Sequence, residues 1–450
     1  MSRLRPAIVL LVAAALFAAA TPAWVSFGSD LRLHYRTDDR GNRIMDFSHA
    51  GYQGGGVALP VVPVARTLKP ITGDNTAQIQ SAIDAVSRGT RGAVLLSPGT
   101  YDLEGTLTIS ASGVVLRGSG SGERGTTIRL TGSPHRFLEI RGSGAWQASG
   151  NSASITSAYV PSGADFFDVD DSAGFQVGDT ILIKRPVTEA WVHFMGMDTL
   201  VRDGKPQTWL KAGSVIQTDR TIRAIAGKRI TLDVPLTDSF DATLLNPPGA
   251  AMVKYSFPGR ISGVGVESLR VSAPGIDVPI SAPQYTVLHM NAVMDAWAKH
   301  IVVEETQNGI IIGPSAKRVT LDSVRIVHTI PHSGAAAPAD FAVSGTQILL
   351  NRCSVDGEGT WPVVTQAAVT GPIVVLNFTG SAHAGVSRIS AGRRDCWWTT
   401  RGCRIPSHGR PPLRSRIVRP PDRDTDGTWA GRSRGMSRRR ICWCSSLPAP

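Results

Sequence analysis

An apolar residue followed by others three and five positions later recurs in the second half of the chain. The starts of successive sets are 32, 23 and 29 residues apart. Polar residues separate the apolar ones, as in strands with one buried face. Single strands of this kind cannot bury that face alone, so the repeat predicts stacked coils of a solenoid. The sets are Val266/Leu269/Val271, Ala298/Ile301/Val303, Leu321/Val324/Ile326 and Leu350/Cys353/Val355.

The stretch Arg318–Gly334 combines one of these repeats with polar residues that could form a site. Its first half alternates apolar and polar residues and is predicted to be a strand. Its second half places His328 and His332, four residues apart, where the strand passes into a loop. The first half is therefore predicted to be part of the scaffold, and the second half is a candidate site.

One segment ahead of the repeats has the period of an amphipathic helix. Within Thr72–Val86, four apolar residues fall on one face, and Asp74, Asn75 and Thr76 are candidate caps. Strand-like runs closed by Gly, Ser or Pro follow it. Before it, the glycine-rich stretch Asp46–Gly56 is predicted to be a turn that packs its aromatic residues on the domain.

The first 20 residues have the composition of a secretory signal. Arg3 and Arg5 precede an apolar run that ends in small residues, and the run is short for a membrane span of roughly 20 residues. An uncleaved anchor is the alternative. The sequence therefore predicts a secreted, extracellular protein with no membrane contact after signal cleavage.

The charge and the cysteines are concentrated after Val386. Ser387–Pro450 holds 15 Arg and 4 Asp, which leaves 32 basic and 31 acidic residues elsewhere, so the net charge of +12 does not indicate nucleic-acid binding. Only Cys353 precedes this tail; it is predicted to lie in the core, and no disulfide framework is expected. The tail's composition predicts disorder.

A second hypothesis for the tail concerns the reading frame. Arg388–Thr400 can be encoded by codons whose adjacent frame specifies ordinary globular sequence. We therefore hypothesise that one lost base near codon 387 replaced the last coils. On this hypothesis the tail does not fold, the solenoid lacks its C-terminal cap, and this particular chain is expected to be inactive.

Residues 60–130 resemble the start of the pectate lyase superfamily, and in particular its rhamnogalacturonase and epimerase-type members. The resemblance lies in Gly73–Thr76, Ile79–Ile83, Gly92–Val94, Ser97–Tyr101 and Val114–Gly118. It implies an all-β fold: a right-handed parallel β-helix with an N-terminal capping helix, here with a small inserted β unit and a disordered C-terminal tail. From 260 to 380 only the repeats match.

The patterns divide the chain into five segments. They are a signal peptide at 1–23, first coils with the capping helix at 60–150, an inserted β-rich unit at 151–258, continuing coils at 259–386 and the tail at 387–450. We expect a monomer.

The candidate catalytic residues are His328, His332, Asp340 and Asp295, the best polar cluster that the repeats allow. Turn residues satisfied by the backbone are the alternative for all four. Substrate-binding candidates lie in the inserted unit, where Trp191, His193, Lys205 and Trp209 combine aromatic rings with polar neighbours, as in sugar sites. Local packing of the unit is the alternative there.

The sequence does not identify a metal. A lyase that resembles the pectate lyases could use calcium to hold a uronate carboxylate. Asp168, Asp170 and Asp171 could bind Ca²⁺, but they lack the spacing of an established calcium loop and fit a strand end and turn better.

Three functions are compatible with these features. The first is a lyase acting on an acidic, uronate-containing polysaccharide, which needs a base and cations for the carboxylate. The second is a glycoside hydrolase, which needs two nearby carboxylates, for which Asp295, Asp322, Asp340 and Asp356 are candidates. The third is a carbohydrate-binding cell-surface solenoid without catalysis. All three take a polysaccharide as partner and none takes a nucleic acid.

Overall fold

The structure is a computed structural model. It describes residues 24–89, 91–202, 204–206, 208–279, 281–332, 339–357, 360–365 and 367–380, and the backbone of 387–388 and 396–399. The predicted signal peptide and most of the tail lie outside these residues.

A short hairpin and the first coils form the N-terminal part. The hairpin pairs two antiparallel strands, and one helix lies between the first two coil strands in chain order. The elements are β1 (Val25–Phe27), β2 (Leu33–Tyr35), β3 (Val64–Leu68), α1 (Thr76–Arg88), β4 (Gly92–Leu96), β5 (Gly99–Leu103), β6 (Leu107–Ile109), β7 (Val114–Gly118), β8 (Thr126–Leu130) and β9 (Arg136–Arg141).

A second group of elements, mainly antiparallel, follows β9. They are β10 (Gln147–Ser154), β11 (Tyr159–Val160), β12 (Phe166–Asp168), β13 (Thr180–Pro186), α2 (Glu189–Phe194), β14 (Val201–Arg202), β15 (Lys205–Pro206), β16 (Val215–Ala226), β17 (Arg229–Leu232), β18 (Phe240–Asp241), α3 (Ala242–Leu245) and β19 (Ala251–Ser256).

The coils then resume. Their elements are β20 (Ile261–Ser272), β21 (Thr286–Asn291), β22 (Val293–Glu304), β23 (Ile310–Ile312), β24 (Lys317–Val327), β25 (Ala339–Val343), β26 (Thr346–Asn351), β27 (Ser354–Asp356), β28 (Trp361–Thr365), β29 (Ile373–Leu376), β30 (Thr379–Gly380), β31 (Ser387–Arg388) and β32 (Cys396–Thr399).

Two parallel sheets run the length of the coils and enclose one apolar core. One has the order β3-β4-β7-β20-β22-β24-β26-β29-β32, and the other β31-β28-β25-β23-β21-β9-β6. Each strand pairs in parallel with its counterparts in adjacent coils, which makes the molecule a right-handed parallel β-helix, as predicted. All members of the repeated apolar sets lie in this core, and Cys353 among them is buried.

The long strands bend at residues with left-handed backbone conformation. Ser268, His300, Ser323, Arg352 and Asn377 have φ between 53° and 59° and occupy equivalent positions in successive coils. The strand continues on both sides of each bend, but its inward positions shift by one residue. This shift explains the spacing within each predicted apolar set. The first and second apolar residues of a set are three positions apart because one outward-facing residue and the bend residue lie between them.

Helix α1 covers the N-terminal end of the core, as the amphipathic pattern indicated. Its buried face is Ile79, Ala82, Ile83 and Val86. The helix begins at Thr76 rather than Thr72, because Asn75 holds the preceding residues in a turn: it accepts from the Ile71 amide at 2.9 Å and donates to the Gly73 carbonyl at 2.8 Å.

The antiparallel strands after β9 form a unit with its own core. The chain leaves the coils at Gly142 and returns at Gly259, and Ser143 donates to the Gly259 carbonyl at 2.9 Å. The central sheet has the order β10-β19-β13-β16-β17-β12. Its apolar cluster, which includes Phe167 and Ile183, is separate from that of the coils.

The segment Asp46–Gly56, here called the N-terminal strap, lies across the outer face of the coils. Tyr52 packs edge-on against Trp297 with ring centroids 5.5 Å apart, so the predicted aromatic packing of this segment is observed. The Gly51 amide donates to the Gln347 carbonyl at 2.9 Å, and the Tyr52 amide donates to Thr320 Oγ1 at 2.8 Å.

Two short backbone segments of the tail lie among the described residues, and the disorder predicted for the tail stays a prediction. Backbone segments Ser387–Arg388 and Cys396–Thr399 pair in parallel with β28 and β29 and so extend the stack. Short apolar or β-prone runs can pair with an available sheet edge even when the surrounding composition is unfavourable.

Candidate functional site

Three of the four candidate catalytic residues meet in a chain of hydrogen bonds. His328 contacts Asp340 Oδ1 through Nε2 at 2.8 Å, and His332 Nε2 lies 3.2 Å from His328 Nδ1. Gln307 Nε2 contacts His332 Nδ1 at 2.9 Å and the Ile276 carbonyl at 2.8 Å. The side chains of His328 and Asp340 are fully buried.

The Ile276 carbonyl determines where the protons lie in this series of hydrogen bonds. A carbonyl only accepts hydrogen bonds, so the Gln307 amide nitrogen faces it and also donates to His332 Nδ1. His332 therefore carries its proton on Nε2 and donates to His328, which in turn donates from Nε2 to Asp340. Every ring nitrogen of the two histidines is thus engaged.

Burial lowers the pKa of His332, and the neighbouring His328 lowers it further, against the attraction of Asp340 and other carboxylates. A neutral imidazole can act as a base only with a free lone pair. In this arrangement neither histidine has one, and both are buried. These contacts join the end of β24, strand β25 and the loop that contains Gln307.

Asp295 does not belong to this cluster. It lies at another bend of β22, where Arg318 Nη2 donates to its Oδ2 at 2.7 Å. Its second oxygen accepts from the Gln53 amide of the N-terminal strap at 2.9 Å. Asp295 therefore anchors the strap, and the four predicted catalytic residues do not form one hydrogen-bonded cluster.

The carboxylates proposed for hydrolysis are each paired with a basic side chain. Asp322 accepts from both Nε and Nη2 of Arg352 at 3.1 and 2.6 Å, Asp356 lies 2.9 Å from Arg325, and Asp340 and Asp295 are paired as described above. Each of the four carboxylates therefore has its own partner, which lowers its availability for the two carboxylate roles of glycoside hydrolysis.

The substrate-binding candidates in the inserted unit also divide. Trp191 is buried in the core of the unit, and the Arg185 guanidinium carbon lies 4.3 Å from its ring centroid. Trp209 packs against the same core. The packing of these two rings on the core of the unit fits the packing alternative.

His193 and Lys205 lie at the surface. His193 Nδ1 contacts Asp198 Oδ2 at 2.7 Å, and its side chain is 77% exposed. Lys205 is exposed on β15.

A row of outward-facing polar residues crosses the coils. At one position of five adjacent strands the register aligns Arg117, Glu267, Lys299, Asp322 and Asn351. Neighbouring strands are about 4.8 Å apart, so this axial row spans about 20 Å along the solenoid. Arg117 Nε donates to Glu267 Oε1, and Trp297 Nε1 donates to its Oε2 at 3.2 Å.

Lys299 and its neighbour His300 are the unpaired members of this region. Neither side chain forms a hydrogen bond or ion pair with any residue that the structure describes. Lys299 is half-buried between the Arg117–Glu267 and Asp322–Arg352 pairs, and His300 is exposed on the adjoining bend. Tyr52 of the strap packs on Trp297, which precedes Lys299 by two positions on the same strand, so the strap borders the row.

The sequence contained a signal for this row. In each repeated apolar set the residue after the first member faces outward, and the next one forms the bend. Listing these two positions in each set gives Glu267/Ser268, Lys299/His300, Asp322/Ser323 and Asn351/Arg352. The row is not apparent from the apolar members alone.

Within the described ranges, no cluster of three or more His, Cys, Asp or Glu side chains could hold a metal ion. Asp168 pairs with Arg229 at 3.0 Å, and Asp170 accepts from the Ser154 amide at 2.8 Å. The strand-end interpretation of this acidic stretch therefore fits the contacts. None of the helices in the described part of the chain is long and apolar enough to cross a membrane.

No protein-family model matches the chain, and no curated protein matches it. It is similar to solved structures that include the Gp54 tailspike of Acinetobacter baumannii bacteriophage AP22, with 10% identity over 68% of this chain and 55% of the tailspike and a TM-score of 0.30. PfbA, a surface adhesin of Streptococcus pneumoniae, has 11% identity over 69% and 55%, with a TM-score of 0.35.

The A-module of the Azotobacter vinelandii mannuronan C-5 epimerase AlgE6 has 11% identity over 69% of this chain and 52% of its own, with a TM-score of 0.32. The chain thus spans little more than half the length of these three proteins. Such values are too low to transfer a ligand or a reaction, and the fold assignment rests on the strand pairing described above.

Proposed function

We propose that this protein is secreted and binds an acidic polysaccharide along the axial row. The observation that carries the proposal is the unpaired Lys299 in the middle of a row whose other charges are paired. A cation without a counter-ion, half-buried beside a strap wall, is suited to a carboxylate of the ligand. The row repeats along the solenoid axis, as a chain-like ligand requires.

The reaction that this arrangement supports best is β-elimination. His300 takes the proton from the carbon that bears the uronate carboxylate, while Lys299 stabilises the negative charge that develops on the carboxylate. The C–H electrons form a carbon–carbon double bond, the neighbouring glycosidic C–O bond breaks, and the leaving oxygen takes a proton from water. The resemblance of residues 60–130 to pectate lyases agrees with this chemistry.

A second candidate function is binding without cleavage. It is favoured by the ring of His300, which has no hydrogen-bonding partner among the described residues to orient it. Efficient general bases are usually held in place by a further group. Paired carboxylates make hydrolysis the weakest of the three functions.

Product analysis of an oligogalacturonate digest tests the proposal. Where the reading frame after codon 387 is intact, we expect an unsaturated uronate product from the unmodified chain and at least a tenfold loss of turnover in His300→Gln. In either frame we expect a similar loss of affinity in Lys299→Met. The matched control is Lys228→Met, which changes an exposed lysine in the turn between β16 and β17.

Each other outcome contradicts part of the proposal. New reducing ends without unsaturation indicate hydrolysis, and retention without products indicates binding alone. Unchanged affinity in folded Lys299→Met would remove the axial row as the binding site.

A further inference from the structure

A cleft of about 430 Å³ separates the inserted unit from the coils. On the side of the unit it is lined by Trp146, Lys184, Gln217 and Tyr255. On the side of the coils the lining residues are small, among them Ser344 and Ala368. Its volume is within the usual range for small-molecule sites and suits one or two sugar rings.

The alternation along β13 creates the polar side of this cleft. Ile181 and Ile183 point into the core of the unit, whereas Leu182 and Lys184 line the cleft. Strand residues alternate between faces, so the sheet has one face for its own core and one for the cleft. The cleft therefore lies between the second face of this sheet and the coils.

Tyr255 is held in place by a buried charge cluster. Its hydroxyl lies 3.4 Å from Arg260 Nη1, and burial together with the nearby Asp219 carboxylate raises its pKa well above the usual range. The phenol consequently stays protonated. A ring fixed at its far end presents a pre-organised wall to the cleft.

The electrostatic character of the cleft favours an anion. Its lining includes no acidic residue among the described ones, and Lys184 forms no ion pair with any of them. Behind Tyr255, the single carboxylate of Asp219 faces Arg260 and Lys317 and is followed in the chain by the buried Arg220. Two cations, Arg260 and Lys317, around one carboxylate leave a net positive charge, and its field is weakly screened because the cluster is buried.

We propose that this cleft is a second carbohydrate site that binds one anionic sugar residue of a polysaccharide. The sugar ring packs on Trp146 and Tyr255, its carboxylate pairs with Lys184, and Gln217 bonds a hydroxyl group. Aromatic rings beside one cation and one amide supply both the apolar and the polar contacts of a uronate. The inference rests on the proposed function only in taking the ligand to be a polysaccharide, since the cleft is separate from the axial row.

Isothermal titration of the full chain with trigalacturonate tests this site. We expect about a tenfold loss of affinity at one of two binding sites in Lys184→Gln and in Trp146→Ala, and no change in the control Lys228→Gln. A neutral galactose trisaccharide is expected to bind the cleft at least tenfold more weakly. Lys184 is half-buried on the surface of a sheet, so its variant tests the site even if Trp146→Ala fails to fold.

The two proposals fail separately. Unchanged stoichiometry and affinity in folded Lys184→Gln overturns the cleft site, whatever Lys299→Met does. Equal affinity for the neutral trisaccharide at the site lost in Lys184→Gln overturns the anionic assignment. Loss of binding in Lys184→Gln with none in Lys299→Met supports the cleft and contradicts the axial row.

Discussion

Lys317 Nζ donates to Asp219 Oδ1 at 2.8 Å and thereby joins the coils to the inserted unit. Arg260 Nη1 donates to the other oxygen at 2.9 Å, and all three side chains are buried. The adjacent Arg220 donates to carbonyl oxygens of the unit, at Val234, and of the coils, at Gly371. These buried polar contacts cross the boundary between two apolar cores.

Replacing Asp219 by Asn should destabilise the protein strongly. The substitution leaves Lys317 and Arg260 buried without their counter-ion, and breaking a buried pair in this way typically costs about 3–5 kcal/mol. Chemical denaturation monitored by circular dichroism measures the loss. Asp102→Asn is the matched control, because its partner Arg129 is more than half exposed and such surface pairs contribute about 0–1 kcal/mol. Equal losses in the two variants would contradict a special role for the junction.

The same carboxylate predicts an acid limit of stability. Burial by itself would raise the pKa of Asp219, but Lys317 and Arg260 outweigh it and lower the pKa from 3.8 to about 2. A lowered folded-state pKa contributes stability that is fully present above 3.8 and is lost as the pH falls toward about 2. We expect the unfolding free energy of the unmodified chain to fall more steeply across this window than that of Asp219→Asn. Parallel pH profiles would contradict the assignment.

The buried histidine chain should affect stability rather than turnover. Asp340→Leu removes the acceptor of His328 Nε2 and leaves a buried donor unpaired, which costs about 1–3 kcal/mol. Asp340→Asn keeps an oxygen at that position and should cost less. Denaturation midpoints and product formation are measured on both variants. Loss of product formation in a folded Asp340→Asn protein would restore this cluster as the catalytic site.

Gly51 fixes the N-terminal strap on the coils. Its φ is +107°, and an added Cβ would lie 2.9 Å from Thr320 Oγ1 and 3.2 Å from Leu349 Cβ. Gly51→Ala should therefore lift the strap and expose Tyr52 to chymotrypsin, at a cost of about 1–3 kcal/mol. Gly122→Ala, where no atom lies within 4 Å of the added Cβ, is the control. Unchanged cleavage kinetics at Tyr52 would show that the strap tolerates the side chain.

The period of the apolar positions is sufficient to predict the solenoid. Val266, Leu269 and Val271 and their equivalents are inward-facing because each coil must bury one face against its neighbours. The face of helix α1 was likewise fixed by its period. Local patterns of this kind need no information about distant residues. Bend positions such as Ser268 were implied by the three-residue step but were not recognised as bends.

Polar sites were far less predictable. His328, His332 and Asp340 lie within 13 positions of one another, and this short spacing predicted that their side chains would meet. It could not show that the Gln307 amide would engage the last free ring nitrogen, since that contact depends on the fold of the preceding loop. Asp295 was misplaced because its distance from the cluster is set by the stacking of coils. Trp191 looked like a sugar platform because its local sequence could not reveal the apolar core beneath it.

The repeat, the capping helix and the inward faces could be predicted from the sequence, because they follow from burying apolar residues at a fixed period. Which charges meet depends on how distant parts of the chain pack. Lys317 and Asp219 are 98 positions apart and join only when the inserted unit docks on the coils. The axial row of Arg117, Glu267 and Lys299 likewise depends on strand register across a long insertion. Electrostatic pairing acts over a few ångströms in space, and chain distance carries no information about it.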